Sequence, residues 1–298
     1  MWPHQELTSA THRVQRYGRC GDLGLVPRSS LDKNCLMPAK AGKMRGRITW
    51  AGSNSYGKCG RQALYQLKRR QYAEQGERGP EMDADMTNGC QFLILLLAII
   101  APRRVQVMGK IRMPVVVYSD ASFDPDYYLL PQERREQPRL GWVFMHHNLG
   151  PVPMGRTMQL PDAAIQMFCP RQQQIYACEA VAVPEAIYDC PQALQGRHVT
   201  WFIDNEAACA SFIRGASRSE DVSEIVAIAL LTFMKYNMTC WFEWIDSDAN
   251  PSDGLSRLGV MDPWTVRQGW QVKELRWSER ESIRQVSLNA WKWETLGG

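Results

Sequence analysis

Four acidic residues stand where carboxylates are costly to keep unless something uses them. Asp120 follows the β-branched run Val115-Val116-Val117-Tyr118, in the string Tyr-Ser-Asp-Ala-Ser. Asp204 closes the apolar string Trp201-Phe202-Ile203. Glu179 lies in Ile175-Tyr-Ala-Cys-Glu-Ala-Val, and Asp253 in Asn250-Pro-Ser-Asp-Gly-Leu-Ser-Arg257. A carboxylate at the end of a buried strand is expensive to desolvate unless it is paired or metal-bound. Taken singly, each reads equally as a surface acid or half of a salt bridge, and Asp204 as the N-cap of a following helix. Taken together they suit two hard divalent cations, Mg²⁺ first, with Mn²⁺ able to substitute. Two such ions about 4 Å apart activate a water and stabilise a leaving oxyanion, the needs of phosphodiester hydrolysis.

The elements that must position these acids are short. Residues 115–118, 140–145, 199–203 and 239–245 have the β-branched and aromatic content of strands, and 156–160 is a candidate for a further one. Residues 174–188 carry a helical stripe of Ile175, Cys178, Ala182 and Ala186, and Pro184 inside it predicts a kink or an early end. A short helix over 206–213 should stop at Gly215. Ser217 and Glu220 have capping-box spacing ahead of an apolar helix over 225–234. Residues 251–258 read as a helical turn. Three strands, a helix, a strand, helices, a strand and a helix predict a mixed α/β sheet, antiparallel at first and with crossovers later.

The net charge of +4 hides a division. Residues 1–110 carry 18 basic and 8 acidic residues, and residues 111–298 carry 17 and 23. The basic part suggests a polyanionic partner, and the acidic part a reason to gather carboxylates. Within the basic part, Lys43, Arg45, Arg47, Lys58, Arg61, Lys68, Arg69 and Arg70 interleave with Trp50, Tyr56 and Tyr65. Cations can meet phosphates and aromatic rings can stack on bases. A helix is expected over 60–72, with Ala63, Leu64 and Leu67 on one side. A polar loop should follow over 74–88, then an apolar helix over 90–100 ended by Pro102. The apolar run 92–101 is too short to span a bilayer, which takes about 20 residues, so no membrane partner is expected.

Other chemistries find less support. The nine cysteines are scattered, odd in number and without a C-x-x-C pair, which argues against a zinc ribbon or a disulfide framework. An intracellular setting, cytoplasmic or nuclear, fits them, as does the lack of an apolar signal core at the N-terminus. His146 and His147 are adjacent, so on a strand they would point to opposite faces. Asp124 and Asp126 read as a polar turn. Ser119 and Ser122 have no histidine nearby, and there is no Gly-rich phosphate loop.

The four acidic segments, in this order over about 113–258, resemble the ribonuclease H domain at the C-terminal end of retroelement reverse transcriptases. The carrying strings are Tyr118-Ser-Asp-Ala-Ser122, Glu179 with Ala180 and Ala182, Phe202-Ile-Asp-Asn-Glu-Ala-Ala208, and Asn250-Pro-Ser-Asp-Gly-Leu-Ser-Arg257; Gly141-Trp142-Val143 fits the second strand. The segment from Gly42 to Gln71, with the apolar helix and Pro102-Arg-Arg, resembles the thumb and connection region that precedes this domain. The resemblance implies a ribonuclease H-like five-stranded mixed sheet and hydrolysis of the RNA strand of RNA–DNA hybrids. It further implies that Asp120 and Asp204 hold both ions, Glu179 the one on the attacking-water side, and Asp253 completes the second. Ser122, Asn205 and Arg257, beside the acids, join the basic residues as candidate nucleic-acid contacts. The implied partners are a hybrid or other nucleic acid and upstream polymerase domains of the same polyprotein.

On this reading the chain divides into an irregular leader (1–40), a basic connection-like segment (41–112), the nuclease-like domain (113–262) and a Trp-rich tail (263–298). Three departures stand out. No paired polymerase aspartates are present, since Phe202-Ile-Asp-Asn205 ends in Asn. The spacing from Asp120 to Glu179 is enlarged, in part by 123–139. The stretch Asp246-Ser-Asp-Ala-Asn250 lacks the histidine that many cellular members place before the last aspartate; Asp248 or nothing takes its place. A catalytically inactive nucleic-acid-binding remnant stays open as the alternative. A transposase or integrase core fits less well because of the final motif.

Overall fold

A computed structural model describes residues 33–53, 58–72, 81–99 and 113–277. The chain divides into two compact units, 1–107 and 108–298. The leader up to residue 32, Tyr56, Pro102-Arg103-Arg104, Trp291 and Trp293 lie outside the described residues.

The first unit contains α1 (Pro38–Ser53), α2 (Arg61–Gln71) and α3 (Ala84–Ile99), with α2 packed against both others. Helix α1 begins inside the expected leader. Its apolar positions Ala41, Met44 and Ile48 recur at helical spacing and are buried, a stripe hidden by the basic residues between them. Ala63 and Leu67 of α2 are buried as expected, and Leu64 is half-buried. Helix α3 starts before its apolar run, so residues 84–88 are helix and not loop. The cause is Asp83, whose carboxylate accepts from Met86 N at 2.9 Å while its carbonyl accepts from Thr87 Oγ1 at 3.0 Å. No helix among the described residues is long and apolar enough to cross a membrane.

The second unit is the expected mixed sheet with flanking helices, but with six strands. They are β1 (Val115–Ser122), β2 (Arg139–Met145), β3 (Met154–Gln159), β4 (His198–Ile203), β5 (Thr239–Trp244) and β6 (Gln271–Leu275). The order is β5-β4-β1-β2-β3-β6. Strand β2 is antiparallel to β1 and β3; the pairs β1–β4, β4–β5 and β3–β6 are parallel. The sixth strand comes from the expected tail, so the sheet runs past residue 262. Asp262 caps α10 (Pro263–Arg267), accepting from Thr265 N at 2.7 Å, and Gly269 then takes a positive φ of 67°. That turn returns the chain to the free edge of β3.

Helix α5 (Ile175–Asp189) carries Glu179. It packs on β1 and β2 and against α7 (Glu206–Arg214) and α8 (Glu220–Lys235). Every residue from Ala177 to Ile187 is buried. Pro184 neither ends nor shortens this helix, because packing on all sides outweighs one lost backbone bond. Helix α8 starts at Glu220 behind Ser219, so Ser217 is not its N-cap; Ser217 Oγ instead accepts from Ser219 N at 3.0 Å. The C-cap Gly215 has φ 75°, as a helix stop there requires.

Helix α9 (Asp253–Arg257) docks on β1, β2 and β3. Ser122 Oγ donates to Ser256 O at 2.6 Å, and Thr157 Oγ1 to Leu255 O at 2.9 Å. Asn250 Nδ2 donates to Ser119 O at 3.2 Å. Gly141 lets the backbones meet, for a Cβ there would lie 2.7 Å from Ser256 N and 2.8 Å from Ser252 O. Gly141→Ala should therefore destabilise the protein by about 1–3 kcal/mol in urea unfolding, the usual scale of overpacking. Wild-type stability in that variant would contradict this docking.

Candidate metal centre

Strand pairing builds the centre. In the parallel register Ser119 faces Ile203, so Asp120 and Asp204 are the next residues on neighbouring strands. Strand β1 runs through Asp120 to Ser122, farther than its β-branched run suggests, and Asp120 is opposite Gly141. Packing of α5 on β1 brings in Glu179, whose Oε1 accepts from Ala121 N at 3.2 Å. Ligand oxygens of Asp120, Glu179 and Asp204 lie within 4.8 Å of one another. Asp120 and Glu179 are 3% exposed. Asn205, not Asp204, caps α7, accepting from Ala208 N at 3.0 Å. This leaves the Asp204 carboxylate to the cluster.

Asp253 does not join these three. Its Oδ1 accepts from Arg257 Nε at 2.8 Å. Its charge nonetheless acts on Asp120.

Besides the Ala121 N–H on Glu179, the bonds that reach the cluster carboxylates come from serines. Ser256 Oγ donates to Asp120 Oδ2, and Ser247 Oγ donates to Asp204 Oδ2 at 2.7 Å. The Asp204 carbonyl accepts from Trp244 Nε1 at 2.8 Å. Two oxygens are left over: Glu179 Oε2 and Asp204 Oδ1 are buried and accept from no serine, backbone or other fixed donor, so without a cation only a proton shared within the cluster can meet them. Orphaned buried carboxylate oxygens are expensive, and a hard cation is the partner that suits them. The donor set therefore fits a divalent ion.

The sequence reading overlooked Ser247 and Ser256. Ser256 stood inside the last motif, and only its distance from Asp120 in the chain hid the contact. Ser247 occupies the stretch where a histidine was sought; Asp248 is exposed and lends its N–H to Asp246 Oδ1 at 3.1 Å.

Electrostatics follow from crowding. Burial, and then the Asp204 charge, push the Asp120 carboxyl up to about 8. Burial, and then Asp120 and Asp204, hold Glu179 well above the usual carboxylate range.

The remaining candidates separate. Lys43, Arg47, Arg61 and Lys68 are exposed, while Lys58 is half-buried. Arg45 lies over the Tyr72 ring at 5.6 Å. Arg69 pairs with Asp83 at 2.6 Å. Arg70 is buried and donates to Leu36 O at 2.6 Å, so it is not a surface cation; helix periodicity turns it toward the core. Ser122 and Asn205 are engaged with α9 and α7, as described. The ring of His147 lies 4.2 Å from that of His146, because the chain leaves the strand after Met145. Asp124 Oδ1 accepts from Asp126 N at 2.8 Å, a polar turn as expected. The eight described cysteines are all unbridged.

The enlarged segment after β1 is folded. Tyr127 is buried and its hydroxyl donates to Asp162 Oδ1 at 2.7 Å. Beside it a groove of about 830 Å³ is lined by Ser122, Arg135, Arg139 and Arg257 among others.

No protein-family model matches the chain, and no curated protein matches it. Among solved structures, ribonuclease H1 from the halophilic archaeon Halobacterium salinarum NRC-1 is similar, at 14% identity and a TM-score of 0.33. The match covers 50% of this chain and 98% of that one.

The raised Asp120 carboxyl sets a pH dependence. A group whose folded value exceeds its unfolded one contributes stability at low pH and loses it as pH rises. The metal-free protein should lose thermal stability between about pH 4 and about pH 8, and Asp120→Asn should flatten that slope. Slopes that match in the two proteins would contradict the crowding.

Proposed function

We propose that the second unit is a metal-dependent, ribonuclease H-type endonuclease. The observation that carries this reading is the convergence of Asp120, Glu179 and Asp204 with two buried, donorless carboxylate oxygens at one end of β1 and β4. In this reading Asp120, Glu179 and Asp204 would hold the cation, which would meet the oxygens Glu179 Oε2 and Asp204 Oδ1. Mg²⁺, or Mn²⁺ in its place, supplies a Lewis acid for the phosphoryl oxygens and lowers the pKa of water. Water adds to phosphorus, the bond to the neighbouring sugar oxygen breaks, and that oxygen takes up a proton. A second ion, if bound, would be held with the help of Asp253, whose Oδ1 accepts from Arg257.

The substrate class in this proposal is an RNA–DNA hybrid, cut in its RNA strand. Support comes from the four ordered motifs and from the groove beside Ser122, whose lining holds Arg135, Arg139 and Arg257 alongside Asp124 and Glu136. The exposed cations of the first unit suit the phosphate backbone, and the exposed Trp50 and Tyr65 suit bases. The retroelement reverse-transcriptase setting, with polymerase domains upstream, rests on the form of the last motif and on the basic segment before the sheet. An intracellular site belongs to the same proposal.

The assay is cleavage of a labelled RNA–DNA hybrid with Mg²⁺ or Mn²⁺. The wild type should cut, and Asp204→Asn should lose at least about 10²-fold, the scale of removing one group that stabilises developing charge. Tight hybrid binding with equal, negligible cutting by both proteins would overturn the enzyme and favour the inactive binding module. For the basic segment, Arg47→Ala should weaken binding alike for all sequences and lower the salt slope by about 1. An unchanged slope, read by fluorescence anisotropy, would remove Arg47 from the interface.

A further inference from the structure

We infer that Ser247 and Ser256 are positioning residues, each holding one oxygen of a strand-end aspartate so that the cluster presents its other oxygens to the cation. The inference rests on the metal-centre reading above.

Each aspartate has one oxygen bound by a serine: Asp120 Oδ2 by Ser256 and Asp204 Oδ2 by Ser247. The opposite oxygen of Asp204 is buried and donorless, as is Glu179 Oε2. An aspartate carboxylate turns about its last torsion, which is broad and roughly two-fold. One fixed oxygen removes that freedom and sets where the second points. Three mutually repelling carboxylates would otherwise turn apart.

The two serines are themselves held. Ser256 is fully buried, and its carbonyl is bound by Ser122 Oγ at 2.6 Å. Asn250 ties the preceding turn to the Ser119 carbonyl, and its Oδ1 accepts from Ser252 N at 3.1 Å. The Ser256 hydroxyl has one proton and two acceptors, Asp120 Oδ2 and Asp253 O at 2.8 Å. The Asp120 oxygen is the nearer of the two acceptors. Ser247 opens a single helical turn, Ser247–Ala249, capped by Asp246. The Trp244 indole fixes the Asp204 backbone from the same side. Within the Asn250–Arg257 string, Ser256 thus acts through Asp120.

The test is calorimetric titration of Mn²⁺ into the full chain, without nucleic acid, alongside metal-free thermal unfolding. The wild type should bind, and Asp204→Asn should abolish binding. Ser247→Ala and Ser256→Ala should lower the affinity by about 10–100-fold, the scale for partners that orient metal ligands. Ser247→Thr keeps the hydroxyl and should restore the affinity, which a purely structural role would not demand. Ser247 is exposed, so its variants leave the core intact and decide the matter even if Ser256→Ala fails to fold. Alanine variants that titrate like the wild type would overturn the positioning role and leave the metal centre standing. A wild type that binds no better than Asp204→Asn would overturn both.

Discussion

Three carboxylates share a space from which water is largely excluded, and they repel one another. Burial and mutual charge raise Asp120 and Glu179 together. Neither effect favours folding, so the rest of the structure must hold the group in place. The parallel register of β1 and β4 sets two of the acids side by side, and the buried face of α5 forces in the third. A positive ion is the simplest partner for such an arrangement, because it offsets the repulsion and fills the donorless oxygens at once.

The surrounding elements follow from that constraint. Helix α9 lies close against the sheet only because residue 141 has no side chain, and the closeness delivers the Ser256 hydroxyl to Asp120. The Asn205 cap relieves Asp204 of helix duty. Buried Trp142 and Trp201 anchor the sheet behind the site, and the Trp201 indole donates to Ser119 Oγ at 2.9 Å, one residue before Asp120. Rigid strands therefore carry the acids, which suits groups that must meet an ion at fixed distance.

Much of this was legible in the sequence. Apolar runs marked Asp120 and Asp204, and β-branched and aromatic runs located four of the five strands of the first expectation. Local patterns could not weigh packing, however, and the misses are of that kind. Pro184 sits unbroken inside a helix because its surroundings outweigh its propensity. Arg70 looked like a surface cation but turns inward to a carbonyl. The sixth strand was hidden in a Trp-rich tail because Val272 and Leu275 are too few to announce a strand before β3 offers its edge. Asp253 pairs with Arg257 four residues on, which spacing permits but does not require, while its charge still reaches Asp120.

The most direct measurement is a crystal structure of the chain grown with Mn²⁺, read by anomalous scattering. The account predicts a peak within bonding distance of Glu179 Oε2, Asp204 Oδ1 and the Asp120 carboxylate, with Ser247 and Ser256 still on the outer oxygens. A map with no peak among these three residues, or with the ion bound elsewhere, would contradict it.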